Sequence, residues 1–328
     1  MPRTRVYRAN WRCLLLGVSA LSIAPLAGQL AAMASDDSPG EAEAASATYQ
    51  LAYKFQEGDV WRYVVSHDAS LTTQKGAAAV TAVQTSKSWK HYRVVAVKDG
   101  AATIEPTIDR VRVKIRSEEQ DGVEYDSSSD KAPPAALRRL AKSIGRPLSQ
   151  VQVESNGDLI SARSLLPQGD ARASASGSPG SQDDADANFL VVFPDGPVQV
   201  GESWKDQIKV SVWVDRTLSK PVILRRTYTL QSVSGDLATI ALRTSVLTLI
   251  QDPRLQSQLI QRKPRGTIVF DMKQGRIVSR ELQLDHLVVG FSGSDSKMRA
   301  VSHRVERLTS SAAVAVNSRQ PVEAKRQR

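Results

Sequence analysis

Chemistry needs side chains that move protons, attack carbonyls or hold metals, and this chain is sparing with them. Histidine, whose ordinary pKa lies nearest neutrality, occurs four times: His67, His91, His286 and His303. None stands in a His-Glu-x-x-His arrangement, the spacing that puts two imidazoles on one helix face around zinc. His286 sits among Leu284, Leu287 and Val288, where a hydrogen-bonded strand histidine is commoner than a ligand or a base. Gly290-Phe291-Ser292-Gly293-Ser294 lacks the last glycine of a Gly-x-Ser-x-Gly elbow. The serine therefore has no sharp turn to expose its oxygen beside backbone donors. No glycine-rich loop followed by Lys-Ser or Lys-Thr is present to cradle phosphates. Cys13 is the single cysteine, which excludes a disulfide framework or a thiolate metal site within the chain.

Carboxylates remain, since two of them across a cleft suffice for glycoside hydrolysis. Glu105 and Asp109 fall on one strand face, as do Glu281 and Asp285. Four residues along a strand separate each pair by about 13 Å, too far to act as a paired acid and base. The expectation is a protein without catalytic, cofactor or metal residues. A hydrolase using carboxylates from separate strands is the alternative, and a purely structural or assembly protein the third reading.

The elements that would carry such residues are mostly strands. Tyr49, Leu51, Tyr53 and Phe55 alternate, as do Ala238, Ile240, Leu242, Thr244 and Val246, which places each set on one strand face. After Gly275, Val278, Leu282 and Leu284 share one face, and Ser279, Glu281, Gln283 and Asp285 the other. One dry and one wet face is the habit of antiparallel sheets. Turn signals intervene at Lys98-Asp99-Gly100, Asp121-Gly122, Ser155-Asn156-Gly157, Ser234-Gly235-Asp236 and Lys273-Gln274-Gly275. Two short helices are expected. One is capped by Asp130, opens on Pro133 and Pro134, and carries the stripe Leu137, Leu140, Ile144 up to Gly145. The other is capped by Asp252, opens on Pro253 and carries Leu255 and Leu259.

Two blocks follow the same order of signals. Gly58-Asp59-Val60-Trp61 matches Gly201-Glu202-Ser203-Trp204, and Tyr92 with Ala102-Thr103-Ile104 matches Tyr228 with Ala238-Thr239-Ile240. Gly157-Asp158-Leu159-Ile160-Ser161 matches Gly275-Arg276-Ile277-Val278-Ser279. Ordered self-similarity of this kind is what duplication leaves. Gly58, Trp61, Gly201, Trp204, Gly157 and Gly275 are its anchors. Their recurrence argues for scaffold: glycine makes a turn, and tryptophan covers the end of a core. The expected fold is mainly β (α+β), as two tandem antiparallel curved sheets or half-barrels, each with one short helix.

The termini suggest export. Arg3, Arg5, Arg8 and Arg12 precede an apolar run over 13–28, and Ala32-Met33-Ala34 offers a small-x-small cleavage site, the order of a secretory signal peptide. An uncleaved membrane anchor is the competing reading. The expected organisation is signal 1–34, flexible leader 35–47, repeat 48–166, linker 167–188, repeat 189–309 and a disordered basic tail 310–328. Removing the signal takes four of the 44 basic residues and none of the 34 acidic ones, leaving a net charge of +6. A mild positive excess suits anionic envelope polymers or lipid headgroups. Scattered basic residues and an aromatic content of 5% disfavour nucleic acid. The expected location is the periplasm, cell envelope or extracellular space, with lipid, an anionic polymer or another envelope protein as partner. After cleavage no integral membrane segment is expected.

The run from Leu51-Ala52-Tyr53-Lys54-Phe55 through Gly58-Asp59-Val60-Trp61-Arg62-Tyr63, with Gly266-Thr267-Ile268-Val269-Phe270-Asp271 and Gly275-Arg276-Ile277-Val278-Ser279, resembles an uncharacterised family of exported bacterial β-rich proteins. The resemblance implies compartment and fold, and no activity.

Overall fold

The structure is a computed structural model describing residues 47–118, 120–129, 132–166, 189–215 and 217–309. The expected signal peptide, linker 167–188, tail 310–328, all of the leader but Ala47, and the Asp130 cap lie outside the described residues. Those described belong to one compact unit.

Alternating sequence becomes antiparallel ladder through most of the chain. In order, the strands are β1 (Thr48–Tyr49), β2 (Val60–Lys75), β3 (Ala78–Lys98), β4 (Ala101–Ser117), β5 (Gln120–Asp126), β6 (Ser149–Val153) and β7 (Leu159–Ser164). Then come β8 (Val198–Gln199), β9 (Ser203–Trp213), β10 (Ser219–Ser234), β11 (Leu237–Val246), β12 (Arg265–Asp271), β13 (Arg276–Val289) and β14 (Ser296–Leu308). Helix α1 (Arg138–Ser143) lies between β5 and β6, and α2 (Pro253–Gln258) between β11 and β12.

The strands of the two expected blocks join one 12-stranded sheet, ordered β7-β6-β4-β3-β2-β14-β13-β12-β11-β10-β9, with β5 on β4. This corrects the expectation of two tandem sheets. The join is β14, which pairs β13 on one side and β2 on the other over thirteen register partners, Ser296↔Lys75 to Leu308↔Tyr63. An unpaired β2 would have left a long row of backbone donors and acceptors without partners. A second, two-stranded sheet pairs β1 with β8.

Three local expectations change. Tyr49 to Phe55 is not one strand: only Thr48–Tyr49 forms a ladder, and the rest is an extended segment. It is held by Tyr53 N–H to Ser155 O at 2.7 Å and Lys54 N–H to Gly275 O at 3.2 Å. Asp121-Gly122 lies inside β5 instead of forming a turn. A bulge between Val269 and Phe270 pairs Ile277, not Val278, with Phe270, and Ile277 enters the core at 5% exposure. An extra residue on one strand reverses the facing of everything beyond it.

The largest core cluster caps one end of the sheet and draws on both blocks: Trp61, Tyr92, Val94, Ile104 and Val151 meet Tyr228, Leu230, Ile240, Ile268 and Phe270. Leu51 and Tyr53 from the first extended segment, and Phe189 to Phe193 from a second, fill it. The rings of Tyr92 and Phe189 stack at 4.4 Å, and Tyr53 packs edge-on to Phe270 at 5.4 Å. Burial of each such side chain contributes about 1.5–3 kcal/mol.

Each helix covers the sheet of its own block. Leu137, Leu140 and Ile144 pack with Val111, Val113 and Tyr125, and Gly145 with φ +74° follows the helix. Asp252 accepts the Arg254 N–H at 2.8 Å as the α2 cap, and Leu255 and Leu259 pack on Val210, Val212, Val222 and Leu224. Gln258 pins α2 to edge strand β9 by accepting from Trp213 N–H and donating to Trp213 O, both at 2.8 Å.

Candidate functional site: a basic cavity on the sheet face

The anchors predicted from sequence sit at the capped end. Gly58 and Gly201 have φ of +89° and +90°, the left-handed region that favours glycine. Their N–H groups donate to Val94 O at 2.9 Å and Leu230 O at 2.7 Å. Trp61 faces Tyr92 across β2–β3, and Trp204 faces Tyr228 across β9–β10. Trp61 is 4% exposed, and Trp204 Nε1 donates to Val192 O at 2.8 Å. Gly157 and Gly275 press against backbone: a Cβ on them would lie 2.3 Å from Val191 O and 2.3 Å from Lys54 N. All six act in packing or turns.

The carboxylates singled out earlier are engaged on the strands. Asp109 Oδ1 lies 2.8 Å from His91 Nδ1, and Glu105 accepts from Gln150 at 2.8 Å. Glu281 lies 2.9 Å from His303 Nε2, and Arg299 grips Asp285 with bonds of 2.9 and 2.7 Å. That grip holds the Asp285 carboxyl below the ordinary range. His286 Nε2 is 3.1 Å from Lys263 O. Among the described residues, no group of three or more His, Cys, Asp or Glu is placed to hold a metal ion.

The feature that could hold a molecule lies elsewhere, on one sheet face beside α1. It is a cavity of about 770 Å³ whose lining includes residues of β2, β3, β4 and β9 through β14. Its aliphatic wall includes Leu71, Val113, Leu140, Leu224 and Leu284, with Ala300 on β14. The size falls within the roughly 300–1,000 Å³ of sites that enclose one small molecule.

Polar groups enter this wall in a patterned way. Across β14, β2 and β3 the register sets Arg304 opposite His67 and His67 opposite Ser86. One step nearer the core, Glu306 faces Val65 and Val65 faces Ser88, with Arg280 beside Glu306 on β13. Among the described residues, six in the lining are Lys or Arg (Lys90, Lys209, Arg226, Arg262, Arg280, Arg304) and none is Asp or Glu. Acids outside this lining pair with three of the arginines. Asp206 accepts from Arg226 Nε at 2.8 Å. Glu306, 4% exposed, ion-pairs with Arg280 at 3.6 Å and Arg304 at 3.5 Å. Arg280 also donates to Phe189 O at 2.7 Å, and the buried Arg304 Nε has no hydrogen-bond partner.

The charges respond to one another. Burial alone would raise the Glu306 carboxyl, but Arg280, Lys90 and Arg304 outweigh it and hold the group below the ordinary value. Burial, reinforced by Arg304 and opposed by Asp68, lowers the His67 imidazole. Burial drives the Tyr53 hydroxyl strongly upward, so it stays neutral and accepts the Val191 N–H at 2.8 Å. The sequence reading missed the inner cations. Their signal was available: Arg280 shares its alternation with Leu282 and Leu284, a charge on the dry face of a strand.

Fold and site together define a mainly antiparallel β protein with a cationic cavity on one sheet face. No family model and no curated protein matches the chain. Among solved structures it is similar to lipovitellin, in a structure of its lipid–protein interactions, at 13% identity and a TM-score of 0.45. That match covers 78% of this chain and 26% of the lipovitellin chain. It is similar to DynF of the dynemicin biosynthesis pathway of Micromonospora chersina, at 5% identity and a TM-score of 0.21, over 80% and 86% of the two chains. The translocator domain of the autotransporter NalP from Neisseria meningitidis gives 6%, 0.27, 77% and 89%. Likenesses at these scores carry no argument about function. No helix among the described residues is long and apolar enough to cross a membrane.

Proposed function

We propose that this chain is an exported, non-catalytic protein of the cell envelope that holds an apolar molecule in the cavity of its sheet. One observation carries the reading: about 770 Å³ of space lined largely by aliphatic side chains, in a position where packed residues would otherwise lie. Export rests on the arginine-led apolar N-terminus, and the resemblance to exported β-rich proteins agrees with it.

The sheet, in this reading, is a curved half-barrel built from a duplicated unit. Lining residues on β4 and β9, eight places apart in the strand order, share one cavity, which supports curvature. Equivalent registers at Trp61↔Tyr92 and Trp204↔Tyr228 support duplication. So do equivalent return bonds, Val94 N–H to Asp59 O at 2.9 Å and Leu230 N–H to Glu202 O at 3.0 Å.

The test is native mass spectrometry of protein purified from its own host without detergent, followed by titration with a polarity-sensitive fluorescent alkyl probe. The expected result is a co-purified small molecule or, for empty protein, saturable uptake of one probe per chain. Protein that is both empty and unable to take up the probe would refute the reading.

A further inference from the structure

We infer that the occupant of the cavity is an anionic single-chain amphiphile: one alkyl chain ending in a carboxylate or a phosphate monoester. This deepens the proposed function and rests on it. Charge is the first observation. Among the described residues the lining includes Arg226, Arg280 and Arg304 and no acidic residue, in a chain with 34 acidic residues to 44 basic. Arg280 and Arg304 both ion-pair with a single buried carboxylate, Glu306, at 3.6 and 3.5 Å. The site therefore carries more positive than negative charge in a place of poor solvation. Such an excess is costly to keep without an anion, and a ligand headgroup supplies one.

Geometry is the second observation. Arg304, His67 and Ser86 form one row across three adjacent strands, which stand about 4.8 Å apart. The row brings a guanidinium, an imidazole and a hydroxyl onto one line of the wall. The Arg304 side chain, 32% exposed, carries a guanidinium of the kind from which carboxylates and phosphates accept charge-assisted hydrogen bonds. Beyond this row the lining includes the aliphatic Leu71, Leu284 and Ala300 and, at the start of α1, Leu137 and Leu140. The head lies by Arg304 and the tail runs toward α1.

Volume limits the tail. At roughly 30 Å³ per heavy atom, the share of a water molecule in the liquid, the cavity of about 770 Å³ holds about 25 atoms. One long alkyl chain with its head fits.

The experiment titrates the delipidated full chain by calorimetry with laurate, dodecyl phosphate, dodecanol and inorganic phosphate. Hydrogen bonds to charged groups predict that laurate or dodecyl phosphate binds about tenfold or more tightly than dodecanol. The stronger of the two identifies the head. Arg304→Gln should remove that preference while leaving dodecanol binding in place, and Arg304→Lys should restore part of it. Dodecanol binding as tightly as both anions would overturn the inference and leave the cavity reading standing. Inorganic phosphate binding as tightly as dodecyl phosphate would also overturn it, since the chain would then contribute nothing. If no amphiphile binds, the underlying reading itself falls. Should Arg304→Gln fail to fold, the comparison of acid with alcohol on the unaltered protein still decides.

Discussion

Replacing Glu306 by glutamine tests the charge arrangement behind the cavity with almost no change in shape. In the folded protein this carboxylate is 4% exposed and is the acid that Arg280 and Arg304 approach at 3.6 and 3.5 Å. Removing one member of a buried ion pair costs about 3–5 kcal/mol, because the partner is left uncompensated. Two features lower the figure. The Arg304 side chain is 32% exposed, so water screens part of its charge, and Arg280 keeps its bond to Phe189 O at 2.7 Å. The lower end, about 3 kcal/mol, is the expected loss. For a body of this size that lowers Tm by about 6–12 °C, measured by circular dichroism at pH 7. A companion cycle with Arg280→Met and the double variant should show coupling of about 1.5 kcal/mol or more. The loss should also shrink in acid. The Glu306 carboxyl is held below its ordinary value, so its contribution is complete above the unfolded pKa of about 4.3 and disappears as pH falls through the folded one. A Glu306→Gln protein melting within about 2 °C of the parent at pH 7, roughly 1 kcal/mol or less, would refute the reasoning.

Two further outcomes follow from the same structure. Gly157→Ala and Gly275→Ala should each destabilise far more than Gly58→Ala. All three have positive φ, worth about 1–2 kcal/mol, but only the first two drive a Cβ to 2.3 Å from backbone. Urea midpoints measure this, and equal losses at the three sites would contradict it. Lowering the pH below about 6.5 should weaken the protein through His67. Its imidazole is held below the ordinary value by burial and by Arg304 on the neighbouring strand, against Asp68. The unfolded chain therefore binds more protons in that window, and stability rises with pH across it. His67→Gln should flatten the slope between pH 5 and 7, and an unchanged slope would assign the dependence to other groups.

Much of the fold was legible from local pattern. Period-two alternation predicted β11 and most of β13 because one face of each is dry and the other wet. Asp252-Pro253 predicted the start of α2, because a capping carboxylate and a proline at the first turn are set by local backbone chemistry. The Val269–Phe270 bulge was not legible. It inverts the phase of β13 through pairing with a distant strand, and nothing in the local alternation records that. The extended run beyond Tyr49 misled for a related reason. Its side chains alternate in and out of a core, but its backbone bonds go to loops instead of a neighbouring strand.

By itself the amino-acid sequence determined the class of the protein: β-rich, anchored at recurring glycines and tryptophans, and lacking the local motifs of common catalysts. Those properties are written in spacings of a few residues, where backbone geometry and side-chain alternation act directly. Tertiary structure alone decided that β14 joins the two blocks into one sheet, and that Lys90, Arg226, Arg280 and Arg304 meet on one wall. These residues lie on four strands, with more than 200 positions between the first and the last. Their proximity, and the positive field it creates around Glu306, arise only when strand pairing brings separate segments side by side.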